Sequence, residues 1–492
     1  MEKSGERATP KDAAALTREP GRPGKPGEGA GAPGKSASAP DGEGVFSARY
    51  RALTAGLVLS VTLVAFLWLG VATVLPRTAE ELGGLGLFGW AFTAFMLANL
   101  FGTVVAGQGA DRAGPIRPYL QMFALFVIGC LVAAVADNWY VFLVGRTLQG
   151  AGVGGVLALA YLIVGRAYPD ALRSRMLALV ASAWTLPALL GPAVAGAIAE
   201  ASNWRVVFLV LVPLVPLGVL LTLPGLRTLG PPEGPAPDRR RIPLTLLLVA
   251  GAGALLAGLE ERNVVIMVPL VVAGAAVALP VLRTLLPPGT LTVRRGMPAG
   301  MIVRGLVSTA YYGAESFFPL SMAQVLGLNT LESGLALSAG ALTWVSGAWI
   351  QAKLDARGGG KGRHTRVVVG FFLLLAGDAL IAVAIGTALH SIALAVLGWA
   401  LAGFGMGLVY PAVTTIVLSL APKGQEGAAS SNLQLSETLS VAVMTGVGTA
   451  AGAYGAAHGW ARHASLGVVF TITAVAALLG IGAGLRTAVR KS

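Results

Sequence analysis

Thr54–Pro76 reads TAGLVLSVTLVAFLWLGVATVLP. The stretch holds no Asp, Glu, Lys, Arg or His, and Arg51 and Arg77 stand just outside it. An α-helix needs about 20 such residues to cross the apolar core of a bilayer. Outward from this stretch the composition is the same: of 492 residues, 55% are hydrophobic and only 12% charged. Soluble proteins carry about a quarter charged residues. A soluble chain of this length would fold as two or three domains, each needing a charged surface, and the charges for those surfaces are missing.

Comparable apolar runs recur and predict fourteen spanning helices, near 54–76, 87–109, 119–136, 139–165, 174–199, 204–223, 243–259, 264–283, 298–320, 333–351, 366–388, 391–418, 428–456 and 464–486. Every second loop between them is basic. The basic loops carry Arg112 and Arg117; Arg166, Arg173 and Arg175; Arg227 and Arg239 to Arg241; Arg283, Arg294 and Arg295; Lys353, Arg357, Lys361, Arg363 and Arg366; and Lys423. The alternate loops hold only Arg77, Arg205, Arg262 and Arg462. Lys and Arg concentrate on the cytoplasmic side of membrane proteins, so both termini are expected there. A miscounted helix would invert this alternation partway along the chain, and it stays in phase throughout.

Residues 1–48 are rich in Gly, Pro, Ala, Ser and Lys, a composition expected to stay disordered. They contain no apolar core of a signal peptide, so the first span is expected to act as the membrane signal. Most Lys and Arg lie in short loops or in this tail, which argues against nucleic acid as a partner despite the net charge of +13. The single cysteine, Cys130, allows no intramolecular disulfide and no Cys-based metal site. The four histidines lie in loops or near helix ends without metal-ligand spacing, and no cofactor is expected.

Four motifs follow one another in the first half. The loop after the second span reads Gly107-Gln108-Gly109-Ala110-Asp111-Arg112-Ala113-Gly114. Its glycines suit close helix approach, and Asp111 and Arg112 can pair or cap helix ends; an ordinary polar turn is the plainer alternative. The fourth span carries Arg146-Thr147-Leu148-Gln149-Gly150-Ala151-Gly152-Val153-Gly154. An intramembrane arginine is costly and usually faces a cavity or a partner; a snorkelling Arg beside a small-residue packing face is the alternative. The fifth span carries Trp184-Thr185-Leu186-Pro187-Ala188-Leu189-Leu190-Gly191-Pro192-Ala193-Val194-Ala195-Gly196, and Asn203-Trp204-Arg205-Val206-Val207-Phe208 opens the sixth.

In that order and on those helices, these motifs resemble the signatures of the major facilitator superfamily; the fifth-span stretch resembles the antiporter motif found mainly in its exporters, and Asn203–Phe208 resembles the opening of the sixth helix in its fourteen-helix drug:proton antiporters. The resemblance implies an all-α membrane protein of the major facilitator fold, two six-helix bundles plus two inserted helices. The chain would divide into a tail at 1–48, a first bundle at 49–226, inserted helices and linkers at 227–297, and a second bundle at 298–492. Gly107, Asp111, Arg112 and Gly114, with Gly191, Pro192 and Gly196, would form the conformational machinery. Leu354-Asp355-Ala356-Arg357-Gly358 stands where the repeat requires a second copy of the Asp-Arg loop. There are departures. The basic pair usual after the last Gly of that loop is replaced by Pro115 and Ile116, and the acid often found in the first span is absent before Leu75-Pro76.

Acids inside spans are functional candidates by default. Glu315 and Glu437 are the expected proton-coupling residues, with Asp378 in reserve. Arg304, Ser308, Tyr311 and Glu315 fall at i, i+4, i+7 and i+11, one stripe of a 3.6-residue helix. Arg304 and Glu315 stand about 16 Å apart along the axis, too far to pair. These residues, with Arg146, Gln149 and Gln434, are the expected cavity and substrate group. Structural polar contacts between helices are the alternative for each acid.

The expected function is secondary active transport: proton-coupled export of an amphipathic or hydrophobic small molecule by a monomer, through alternating access. The expected location is the plasma membrane, with a bacterial inner membrane suggested by the abundant Ala and Gly. An importer or lipid translocator of the same fold is the nearest alternative. A polytopic membrane enzyme is the alternative of another class, and no metal-ligand, nucleophile-elbow or phosphate-cradling motif supports it.

Overall fold

The structure, a computed structural model, describes residues 44–229, 240–261, 263–358, 361–421 and 426–487. Most of the tail expected to be disordered, residues 1–43, lies outside the described residues. In chain order the helices are α1 (Arg51–Glu81), a 3-10 turn (Leu85–Leu87), α2 (Trp90–Ala113), α3 (Ile116–Ala134), α4 (Trp139–Ala167), α5 (Asp170–Ser182), α6 (Thr185–Ala201), α7 (Trp204–Leu209), α8 (Leu214–Leu226), α9 (Arg241–Glu260), α10 (Val264–Leu285), α11 (Met297–Gln324), α12 (Thr330–Gly358), α13 (Arg363–Gly386), α14 (Ile392–Leu420), α15 (Glu426–Ala457) and α16 (Arg462–Leu485). Taken together, α5 with α6 and α7 with α8 each make one span, so the fourteen expected spans are all present. Twelve are strongly apolar along their length. The two outside that group are α11, diluted by Arg304, Glu315 and several Ser and Gly, and α12, diluted by Ser, Gly and Trp.

Prolines account for the two broken spans. Pro187 has no N–H to give the carbonyl of Ala183, and the helix breaks at Ala183–Trp184. The Thr62 hydroxyl donates to the freed Ala183 oxygen instead (3.3 Å). Pro213 likewise cannot serve Leu209, whose carbonyl takes the N–H of Val212 (3.1 Å) in the turn between α7 and α8.

Away from the basic loops, the starts of α4, α7, α10, α12 and α14 are capped by side chains, whereas α2 and α16 begin without such a cap. Asn138 accepts from the Val141 N–H, Asn203 from Arg205, Asn263 from Val265 and Ser391 from Leu394. At α12, Asn329 and Glu332 serve each other's backbone N–H groups in a capping box (2.8 and 2.9 Å).

Helices α1–α8 pack into one bundle and α11–α16 into the other. The inserted hairpin α9–α10 packs on itself, and α9 lies against both α2 and α15, one helix from each bundle. Leu248 of α9 meets Leu100 and Leu435 there, and Ala252 meets Leu97 and Ala442. α10 presents Val264, Val265, Val268, Val272 and Leu279 outward, as a lipid-facing helix should.

Candidate functional site

Arg304 lies about one third of the way along α11 and is only 5% exposed. It reaches across to α15 and meets the Glu437 carboxylate through Nε (2.8 Å) and Nη2 (2.7 Å). Its Nη1 donates to Thr414 Oγ1 on α14 (3.1 Å), and its guanidinium lies over the Tyr410 ring, 3.3 Å from the centroid. The Tyr410 hydroxyl donates to the same Glu437 oxygen (3.0 Å). The result is a neutral ion pair held by three helices of the second bundle, its hydrogen bonds satisfied as a buried pair requires. Tyr161 of α4, half exposed, faces both charges from the first bundle.

Glu315 has different company. It is 4% exposed, and its Oε2 accepts the indole N–H of Trp68 on α1 (3.3 Å). Trp68 in turn lies against Phe95 of α2 (5.5 Å between ring centroids), and the Arg146 guanidinium stands over Phe95 (4.2 Å). Arg146 is fully buried; its Nε donates to the Ala91 carbonyl (3.1 Å) and its Nη1 to Gln149 (2.7 Å). Gln149 passes the network to α3 by donating to the Gly129 carbonyl (3.1 Å). The arginine of the fourth span therefore rests on one backbone carbonyl, an amide and a π face rather than on an acid.

The stripe read along α11 divides in the fold. Tyr311 turns into the second bundle and stacks on Trp399 (4.7 Å, 14°). Ser308 is fully buried, and its hydroxyl has no hydrogen-bond partner. Tyr312, not Tyr311, sits beside Trp68 (6.4 Å), while both tyrosines meet Trp344 (6.0 Å for Tyr312 and 5.5 Å for Tyr311). Asp378 is fully enclosed in α13, and no donor reaches either carboxyl oxygen. Its neighbour Thr473 on α16 directs its hydroxyl to the Phe470 carbonyl. Gln434 is exposed on α15 and donates to Thr438 (3.4 Å).

The conformational motifs fall in two places. At the basic end Gly114 takes φ +81°, a backbone angle that excludes side chains, and turns the chain out of α2. Asp111 and Arg112 are both exposed; Arg112 donates to Gln108 (3.3 Å) rather than pairing with Asp111. A Cβ on Gly107 would meet nothing within 4 Å, so that glycine serves no close approach here, contrary to the expectation for the loop. The second-half counterpart, Asp355, bridges Arg363 and Arg366 (2.7 Å to the latter) and not Arg357. Between α4 and α5, burial pushes the Tyr168 phenol up to about 12. It stays a neutral donor to Thr54 (2.8 Å), whose own hydroxyl ties down the Val45 carbonyl (2.6 Å).

At the opposite end the bundles close on each other. A Cβ on Gly196 of α6 would stand 2.8 Å from Leu331 Cα, and one on Gly334 of α12 would stand 2.4 Å from the Pro192 carbonyl. Two residues of the fifth-span motif thus form a backbone-to-backbone seam with the other bundle, while Gly191 faces Leu69 of α1 at ordinary contact distance. Gln324 donates to Glu80 (2.9 Å), the Thr330 N–H to Glu200 (3.0 Å), and the Thr93 and Thr445 hydroxyls meet at 2.8 Å. These hydrogen bonds join the bundles in this half, and that of Trp68 to Glu315 joins them near the middle. Trp204 and Arg205 both reach Glu81 (2.7 and 3.6 Å), and Arg205 also holds the Ala136 carbonyl (2.9 Å).

Residue type alone did not single out Trp68, Tyr312, Tyr410, Thr414 or Tyr161. Trp68 left one trace: an indole in mid-span, far from the interfacial belts where membrane tryptophans gather. Its N–H must find a partner inside the protein.

The Major Facilitator Superfamily model matches residues 57–445. A probable multidrug-efflux transporter of Mycobacterium tuberculosis is 27% identical over 433 residues, covering 82% of this chain and 88% of that one. The multidrug transporter protein MdtP of Bacillus subtilis is 23% identical over 78% of this chain and 71% of its own length. Among solved structures, an auto-inhibited POT family peptide transporter superposes with a TM-score of 0.65 at 16% identity, over 89% of this chain and 97% of that one. That likeness concerns the fold.

Proposed function

The chain belongs to the Major Facilitator Superfamily and is a multi-pass membrane transporter of small molecules rather than an enzyme, and from that membership we propose that it exports amphipathic or hydrophobic compounds in exchange for protons. The efflux relatives and the fifth-span motif support the direction. Glu315 supports the coupling. It is the buried acid outside the Arg304–Glu437 pair that also sits on the joint between the bundles. A carboxyl group in such a site can hold a proton near neutral pH. Glu437 serves as the second coupling residue through its hold on Arg304, and Asp378 stands in reserve. With the basic loops in the cytoplasm of a bacterial cell, the seam between α6 and α12 closes the outer side, which suits a carrier that takes substrate from the cytoplasm or inner leaflet. The transporter works as a monomer, rocking one bundle against the other about the central site.

The test is a substrate screen in an efflux-deficient bacterial host, with the proton gradient collapsed as control. Export that stops when the gradient collapses, and that is lost in Glu315→Gln while substrate binding survives, supports the reading. Export indifferent to the gradient overturns it.

A further inference from the structure

Between Thr54 and Pro76 the first span has no ionisable side chain, yet it touches the acid on which the proposed coupling depends. We propose that Trp68 is the positioning residue of α1 for proton exchange: its indole N–H holds the ionised form of Glu315 and thereby fastens one bundle to the other. The inference rests on the reading of Glu315 as the proton-carrying acid.

The chemistry of the contact gives it a direction. An indole N–H is a donor and never an acceptor. A bond from it to a carboxylate is charge-assisted, and a bond to the protonated acid is roughly half as strong. A proton arriving at Glu315 therefore loosens the Trp68 contact, and a proton leaving tightens it. Because Trp68 is on α1 and Glu315 on α11, that change acts on the joint between the bundles rather than within either. A ligand shifts a conformational equilibrium only through such a difference between states.

Trp68 is well placed to transmit it. Its ring is fixed by Phe92 (6.0 Å), Phe95 (5.5 Å) and Tyr312 (6.4 Å), with Phe95 leading on to Arg146. The surroundings of Glu315 contain few competitors. α11 itself brings Tyr311, Tyr312 and, three turns away, Arg304. Glu437 of α15 and Tyr410 of α14 are engaged with Arg304, and Asp378 of α13 faces Thr473 of α16. α12 contributes Trp344, and α2 contributes Phe92 and Phe95, none of which titrates.

The experiment compares the pH profile of substrate-driven proton exchange in proteoliposomes for the wild type, Trp68→Phe, Glu315→Asp and Glu315→Gln. Trp68→Phe keeps an aromatic ring and deletes the N–H. Its profile is expected to move to higher pH by about one unit, the size of one hydrogen bond to a charged group, with KM for substrate little changed. Glu315→Asp keeps an acid but draws it back from the indole, and it is expected to move the same way. It decides the matter if Trp68→Phe does not fold. Wild-type profiles in the folded variants would overturn the inference. If Glu315→Gln keeps a normal pH dependence, the fault lies in the assignment of Glu315, whatever Trp68 does.

Discussion

Arg304 on α11 and Glu437 on α15 form a salt bridge of 2.7 Å inside the second bundle, with the Tyr410 hydroxyl closing on the same carboxylate oxygen. Removing one member of a buried pair leaves the other charge uncompensated and costs about 3–5 kcal/mol. Glu437→Gln and Arg304→Gln should therefore each lower the melting temperature in detergent by several degrees. The double variant should recover part of the loss. Single variants as stable as the wild type would mean that the pair is open in the membrane.

Asp378 is enclosed by packing and has no hydrogen-bond donor, whereas Glu315 lies on the joint. Asp378→Asn is expected to keep transport that depends on the proton gradient, and Glu315→Gln is expected to lose it. Flux measured with and without an uncoupler separates the two. The reverse result would move the coupling site into the second bundle.

The seam between α6 and α12 leaves no room for a side chain. Gly196→Val and Gly334→Val should each part the outer seal. With Cys130→Ala as background, a cysteine in place of Ser333 should react at least tenfold faster with an impermeant thiol reagent once either valine is present. Unchanged labelling would show that the seam yields without opening.

Asp111 is exposed and makes no pair with Arg112 in this conformation. A surface change of this kind shifts stability by only about 0.5 kcal/mol. Asp111→Ala is accordingly expected to leave the melting temperature alone yet slow transport tenfold or more, if the loop acts as the cytoplasmic gate that its motif implies. Wild-type rates in the folded variant would reduce the loop to a turn.

For topology, cysteines replacing Ser36 and Arg357 should resist an impermeant reagent in intact cells, while one replacing Glu261 should be labelled. Labelling at either of the first two would break the fourteen-span orientation.

The spans were legible because a bilayer imposes length and polarity on each helix separately, as Thr54–Pro76 shows. The phase of Arg and Lys in the loops then guarded the count. The breaks at Ala183–Trp184 and Val210–Pro213 were only half legible: the prolines were visible, but the carbonyl each one frees lies four residues back. For the site, periodicity placed Arg304, Ser308, Tyr311 and Glu315 on one stripe of α11. It could not say that Tyr311 would turn to Trp399, because that depends on a helix nearly ninety residues away in sequence. The partners of Glu315 and Arg304 come from α1, α14 and α15, and such pairings are decided by tertiary packing.

The hairpin α9–α10 makes the two flanks of the transporter unequal. On one side α9 covers the line where α2 meets α15. On the other side, where α6 meets α12, no further helix among the described residues lies over the line, and Leu186, Leu190 and Val194 of α6 and Leu335, Leu342 and Trp349 of α12 stand bare. A molecule dissolved in the bilayer meets a helix laid over the joint on the first flank and the bare joint itself on the second, so the two sides of this protein offer lipid-borne compounds different walls.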